Sequence, residues 1–253
     1  MLLAYDGSAF HGFAANEGVR TVAGDLTNAL SLIARAPVEI VGAGRTDAGV
    51  HGWGQVVSCD HPADIDLSSL PRPLTKMCAP GIVVRAAVWC DDPDFNARFS
   101  ATWRHYRYTI LNEPVPDPFL AGTSWHVSHP LDLSRMNLAC DPFYGQHDFS
   151  AFCRKPKVAP GDDMPSMVRR VTQATFSEHV SDRGGRIIRF EIRANAFCHQ
   201  MVRSIVGTLV DVGLHRITPG AISGILRSGA RGEAGQVAPP QGLTLWEVGY
   251  ATS

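Results

Sequence analysis

The chain has 253 residues, of which 45% are apolar and 19% charged, so it can bury a core and is too weakly charged to be a disordered polypeptide. Its formal net charge of −1 excludes a uniformly basic nucleic-acid-binding protein. Residues 1–100 carry 7 Lys+Arg against 11 Asp+Glu, and residues 101–253 carry 16 against 13, so any basic surface must be local and drawn mainly from the second half.

The predicted elements follow in chain order. Residues 1–5 are a short apolar strand with Met1 lying inside it, closed by the turn signal Asp6-Gly7-Ser8. Val22, Leu26, Ala29, Leu30 and Ile33 recur at helical spacing and predict a helix within 19–35. Val38–Val41 reads as a strand, broken by Gly42-Ala43-Gly44, which opens a loop to Gly49; Val50–Cys59 resumes as a strand. The Pro-, Ser- and Asp-rich stretch 60–76 includes loop, and Ile82–Cys90 is a further strand. The polar connection 91–96 predicts a domain boundary near residue 98, giving halves 1–98 and 99–253. Trp103–Leu111 is a strand with Tyr106, Tyr108 and Ile110 on one face; Leu131–Tyr144 suits a helix; Lys155–Ser166 reads as a mobile loop. Val168–Val180 and Arg186–Ala194 form a hairpin closed at Arg183-Gly184-Gly185, Phe197–Val212 is a helix, and Leu243–Tyr250 is a final strand. Each half mixes strands and helices through hairpin-like connections, which predicts an α+β fold with mainly antiparallel sheet.

No apolar run approaches the roughly 20 residues of a membrane span, and the N-terminus lacks a basic leader, so the expectation is a soluble cytoplasmic protein without a membrane partner. The six cysteines, at 59, 78, 90, 140, 153 and 198, form no CxxC pair and read as scattered reduced thiols. Of the 23 basic residues 20 are arginine, a side chain suited to phosphate contacts and base stacking, although a GC-rich genome would produce the same bias.

Three segments could carry chemistry. The first is Gly42-Ala43-Gly44-Arg45-Thr46-Asp47-Ala48-Gly49-Val50-His51-Gly52, whose glycines allow tight turns and close approach to a ligand. It lacks the Gly-Lys-Ser/Thr ending of a P-loop and carries Asp47 where a GxGxxG fingerprint needs glycine. What remains is a loop holding one carboxylate beside one guanidinium, readable as a reactive site or as a turn with a local Asp–Arg pair. The second is the helix Phe197–Gly207, where Arg203 borders an apolar stripe and either meets a carboxylate or snorkels to solvent. The third is Arg104-His105-Tyr106-Arg107-Tyr108, an alternation of basic and aromatic residues that could stack a base and hold phosphates, or could be an ordinary half-buried strand.

Together these segments resemble the tRNA pseudouridine synthase A family, in order and over nearly the whole chain. The matching blocks are Tyr5-Asp6-Gly7-Ser8, Gly44–His51, Phe95-Asn96-Ala97-Arg98-Phe99-Ser100-Ala101, Arg104–Tyr108, Ala194-Asn195-Ala196-Phe197, Met201-Val202-Arg203, Ile205-Val206-Gly207 and Gly242-Leu243 with Leu245. The resemblance implies two related α+β halves sharing a continuous, mainly antiparallel sheet flanked by helices, with a cleft between them. It implies a cofactor-free, metal-free homodimer that isomerises uridine to pseudouridine in the anticodon stem-loop of tRNA, typically at positions 38–40. By matching motif, Asp47 is the nucleophile, Arg45 fills the space of the flipped nucleotide, and Tyr106 stacks on the target base. Arg203 pairs with Asp47, and Leu245 lines an apolar floor. An arginine beside the carboxylate offsets the desolvation that would otherwise favour its neutral form. The carboxylate could add to the base, add to the sugar, or stabilise charge at C1′.

Departures from the family pattern fall in loops: Gly12-Phe13-Ala14 replaces a usual Gly-Trp-Gln, Lys76–Gly81 lacks the usual Asn and Leu-Pro-x-Asp, and His199-Gln200 replaces His-His. These changes motivate an alternative, a non-catalytic RNA-binding or tRNA-folding module on the same scaffold. A third reading, a metalloenzyme using Cys59, His61, Cys198 and His199, has poor ligand spacing.

Overall fold

The structure is a computed structural model and describes residues 1–60, 65–155, 158–159 and 161–251. The chain forms two compact units, one of Met1–Arg104 with Thr244–Ser253 and one of His105–Leu243. Both are α+β, and most strand pairs are antiparallel, as the patterning predicts.

In the first unit, β1 (Leu2–Tyr5) pairs antiparallel with β3 (His51–Ser58) and with β4 (Ile82–Ala86), and the short β2 (Val41–Gly42) pairs with β3. The last strand, β10 (Leu243–Tyr250), runs parallel to β3, with Thr244 opposite His51 and Leu245 opposite Gly52. Helix α1 (Val22–Ala34) begins where the Thr21 hydroxyl accepts from the Gly24 N–H at 3.1 Å, satisfying one orphan donor of its first turn. It buries Val22, Leu26, Ala29 and Leu30 against Leu3, Tyr5, Val57, Ile82 and Val84 of the sheet. Helix α2 (Pro71–Cys78) adds Leu74 to the same core, and its Thr75 hydroxyl accepts from Val84 N–H at 3.0 Å. This helix was not expected. Its first turn is Pro-rich, and proline at N1 is compatible with a helix start because that N–H has no intrahelical partner.

The second unit is built on β5 (Ala101–Leu111, from His105 onward), flanked in the sheet by β9 (Arg186–Ala194), β8 (Val168–Val180) and β7 (Gly145–Asp148); β6 (Trp125–His126) pairs parallel to β5. The β8–β9 hairpin has the predicted bounds, with Phe176 opposite Phe190 at 4.7 Å between ring centroids. Its turn closes by a Ser181 N–H to Gly185 carbonyl bond of 2.8 Å, and Gly184 supplies the φ of +83°. Tyr106, Tyr108 and Ile110 share the buried face of β5 as expected. Helices α3 (Leu133–Leu138), α4 (Met201–Gly213) and α5 (Ala221–Ser228) complete the unit.

Several boundaries differ from the sequence reading. Val38–Ile40 is not strand: buried Val38 gives its N–H to the Ser31 hydroxyl instead of to a ladder. The run predicted as one helix from 131 to 144 is α3 followed by a short 3-10 turn at Asp141–Phe143, where Pro142 interrupts the α-helical bonding. Helix α4 starts at Met201 because Gln200 adopts φ +65°. The described residues of 155–166 carry no helix or strand.

The cysteines also depart from expectation. Cys153 and Cys198 are joined as a disulfide with Cα atoms 5.8 Å apart, 45 residues distant in sequence. Such a separation leaves no local spacing pattern to read. Cys198 is therefore not a free thiolate for the metal site considered above, and His61 of that set lies outside the described residues. Among the described residues, no three His, Cys, Asp or Glu side chains group as metal ligands, and no helix is long and apolar enough to cross a membrane.

Candidate active site

The Gly42–Gly52 loop is held from beneath by side chains of its own unit. Gln55, fully buried on β3, brackets Gly44: its Nε2 donates to the Gly44 carbonyl at 2.7 Å and its Oε1 accepts from the Gly44 N–H at 3.3 Å. The same Nε2 approaches the Tyr5 hydroxyl at 3.5 Å, and that hydroxyl shares a 2.8 Å hydrogen bond with the Thr46 hydroxyl. Backbone bonds add the Phe13 N–H to the Thr46 carbonyl at 3.0 Å and the Val50 N–H to the Asp47 carbonyl at 3.1 Å. Beyond the loop, His51 is buried with Nδ1 accepting from the Gly7 N–H at 3.1 Å and lying 3.2 Å from Asp6 Oδ1. Replacing Gln55 by leucine would leave the Gly44 N–H and carbonyl without their partner. The expected loss is roughly 1–3 kcal/mol of stability, read as a lower urea midpoint at unchanged m-value.

This bracing leaves Thr46 buried, Asp47 half-buried and Arg45 exposed. Arg45 forms no ion pair among the described residues, so the local Asp47–Arg45 pair considered from sequence is not formed. Leu245 is fully buried, one strand away from Gly52. The preceding loop closes over the same backbone. Gly12 has φ +101°, and a Cβ there would sit 3.0 Å from the Thr46 carbonyl and 3.4 Å from Ala48 N. Phe13 is 4% exposed and its ring lies against Gly42, so this departure from the family's Trp is a packing residue under the loop.

Arg104, on the strand for which both a phosphate-holding and an ordinary half-buried reading stood open, is an internal clamp. Its Nε and Nη2 donate to the Ala43 carbonyl at 3.2 and 3.0 Å, its Nη1 to Ala101 at 3.1 Å, and its Nη2 also to the Arg98 carbonyl. Arg107 is likewise committed, with Nε and Nη2 on Glu191 Oε1 at 3.0 and 2.7 Å. The alternation of basic and aromatic residues on β5 thus reports two faces of a strand, one packed and one salt-bridged.

In the second unit, Tyr106 is 7% exposed and packs edge-on against Phe197, with ring centroids 5.0 Å apart. Arg203 is half-buried on α4, where its Nε donates to the Ala238 carbonyl at 2.7 Å and the Ala238 N–H returns a bond to the Arg203 carbonyl at 3.0 Å. Gly207, one turn on, makes this contact possible, since a Cβ there would fall 1.7 Å from the Gln236 carbonyl oxygen. Sequence reading assigned no role to Tyr5, Gly12, Gln55 or Phe197. A glutamine on the same strand face as the core residue Val57 was the available signal for Gln55.

Burial pushes the Tyr5 phenol up to about 12, against the opposing effect of its Thr46 and Gln55 hydrogen bonds. Tyr250, whose hydroxyl donates to Ala97, is also pushed up to about 12 by burial, opposed by the Arg104 charge. A phenol with a raised folded pKa contributes stability that is intact below its unfolded value of about 10 and is lost as pH climbs toward the folded value. The urea midpoint is therefore expected to fall between about pH 10 and 12, and Tyr5→Phe to flatten that fall.

The family model for tRNA pseudouridine synthases, a class of isomerases, matches residues 139–251. The chain is 40% identical to tRNA pseudouridine synthase A of Moorella thermoacetica over 250 residues, covering 98% of this chain and 97% of that protein. It is 36% identical to the protein of that name from Acetivibrio thermocellus over 99% and 98% of the two chains, and 34% identical to that of Bacillus subtilis over 98% and 97%. The chain belongs to the tRNA pseudouridine synthase A family, and it is an isomerase.

Proposed function

We propose that this enzyme converts uridine to pseudouridine in the anticodon stem-loop of tRNA, typically at positions 38–40, with Asp47 as its nucleophile. The observation that carries the reading is the braced loop. Thr46 and Gly44 are fixed by Tyr5 and Gln55, so the half-buried Asp47 and the exposed Arg45 are carried on a fixed backbone. Pre-set geometry of this kind removes reorganisation from the reacting step.

In the reaction the C1′–N1 bond breaks, the base rotates, and a C1′–C5 bond forms; C5 loses its proton and N1 ends with one, so the product is an isomer. The Asp47 carboxylate supplies the electron pair that the reacting nucleoside needs. Arg203 supplies the cation that works with it, Tyr106 stacks on the target base, Arg45 fills the space the nucleotide leaves, and Leu245 provides an apolar floor. Extracting a paired base costs a few kcal/mol, which Arg45 and Tyr106 offset. The division of labour puts the carboxylate in the N-terminal half and the tyrosine and arginine in the C-terminal half. The enzyme works without a cofactor, in the cytoplasm and as a homodimer.

The test is release of tritium from tRNA carrying C5-tritiated uridine, followed by mapping of the modified positions. Release with new pseudouridine at 38–40 is expected. No release from any tRNA of the host would sink the activity, and release with modification elsewhere would sink the positional assignment.

A further inference from the structure

One surface feature of the first unit is unexplained by folding. Phe99 is 78% exposed, among the most exposed large apolar side chains of the described residues. Arg98, also exposed, holds its guanidinium carbon 5.2 Å from the Phe99 ring centroid, and among the described residues no carboxylate pairs with it. Phe119 offers a contrast in the second unit. It is equally exposed and lies under Arg183, but that arginine is neutralised by Asp117 at 2.8 Å.

The segment bearing Arg98 and Phe99 is rigidly built. Asn96 Oδ1 accepts from the N–H groups of Arg98 and Phe99 at 2.9 and 3.2 Å, and Ser100 exchanges two bonds with Asn96. The Ser58 hydroxyl accepts from Ala97 N–H at 3.1 Å, and the Tyr250 hydroxyl donates to the Ala97 carbonyl at 2.8 Å. Phe95, four residues earlier, turns inward onto the Tyr250 ring at 5.1 Å, so Phe99 is the aromatic held outward. Finally, the Arg104 guanidinium bonds the Arg98 carbonyl and the Ala43 carbonyl together, which ties this segment to the start of the Asp47 loop.

We infer that Arg98 and Phe99 form a nucleotide-docking station beside the catalytic loop. An unpaired base of the RNA strand stacks on Phe99, and the Arg98 guanidinium takes the adjoining phosphate. An outward aromatic with an unneutralised cation on a rigid support is what a stacked base and its phosphate require. A protein partner would need both an apolar face for the ring and a carboxylate for the cation, whereas each nucleotide of RNA brings a stacking face and a phosphate together. The inference rests on RNA being the substrate of the Asp47 loop.

The test compares Phe99→Ala, Phe99→Leu, Phe99→Trp and Arg98→Ala with wild type, by filter binding of tRNA and by steady-state tritium release. Loss of a stacking platform weakens binding on the order of 5- to 150-fold. Phe99→Ala and Phe99→Leu are expected to raise Kd and KM in that range with kcat retained, and Phe99→Trp to restore both. Arg98→Ala is expected to lower the slope of log K against log salt by about 1. Unchanged thermal midpoints check folding. Unchanged tRNA binding by Phe99→Ala overturns the proposal, as does full rescue by Phe99→Leu, or a change in oligomeric mass, which would make the ring an interface between copies. Binding is scored separately from turnover, so a wild type that binds tRNA without releasing tritium sinks the activity reading and leaves this inference to be decided by the binding arm.

Discussion

Asp47→Asn is expected to lower single-turnover tritium release by at least about 10^4-fold, equivalent to roughly 5.5 kcal/mol of barrier. The substitution keeps the shape of the side chain and removes its charge, so it isolates the electron pair from the scaffold. The scaffold itself is held by groups elsewhere: the Gln55 amide on Gly44, the Tyr5 hydroxyl on Thr46 and the Arg104 guanidinium on Ala43. Binding of tRNA is therefore expected to stay within about threefold of wild type, well under 1 kcal/mol. Retained binding with lost release separates an isomerase from the RNA-binding module that the altered loops suggest. Residual release within tenfold of wild type would remove Asp47 from its role.

Gly12→Ala should be the second most damaging change, and it touches no reacting group. The backbone at Gly12 has φ +101°, which costs an alanine about 1–3 kcal/mol in any surroundings. Its Cβ would also press on the Thr46 carbonyl at 3.0 Å and on Ala48 N at 3.4 Å, the two neighbours of Asp47 in sequence. Displacements approaching 1 Å of a catalytic group cost about 10²-fold in rate. The expected result is a kcat reduced roughly 10- to 100-fold with KM little changed. Gly18→Ala is the control: it has φ +76° with nothing within 4 Å of the added carbon, so it shares the backbone strain without the collision. If Gly18→Ala lowers kcat as much as Gly12→Ala, displacement of the loop is not the cause.

What could be read from the sequence divides along physical lines. Elements with sustained periodicity were legible: α1 from its apolar stripe, the β8–β9 hairpin from two alternating runs about a Gly-Gly turn, and β10 from Leu243–Tyr250. Elements decided by one local bond were not. Val38 leaves the ladder for the Ser31 hydroxyl, and Gln200 at φ +65° delays α4 by four residues, neither of which has a periodic signature. The Gly42–Gly52 loop stood out from its residue types, yet its support was hidden, because Tyr5 and Gln55 lie 41 and 11 residues from the loop positions they hold. The role of Arg104 stayed open for a related reason. Interleaved arginines and tyrosines look like a nucleic-acid surface, and only the fold reveals that three backbone carbonyls already occupy the guanidinium. Arg98 and Phe99 were noted in the sequence as part of a matching block and given no role, since exposure is not written in residue order.

The first unit is assembled from two separate segments, Met1–Arg104 and Thr244–Ser253, while the second is a single uninterrupted stretch. On the ribosome the second unit can close as soon as Leu243 has emerged. The strand that places Leu245 beside Gly52 follows that unit in sequence. Until then β3 exposes an unpaired edge next to the Asp47 loop, an invitation to wrong partners. Chains stalled before Thr244 lack that pairing and should be inert.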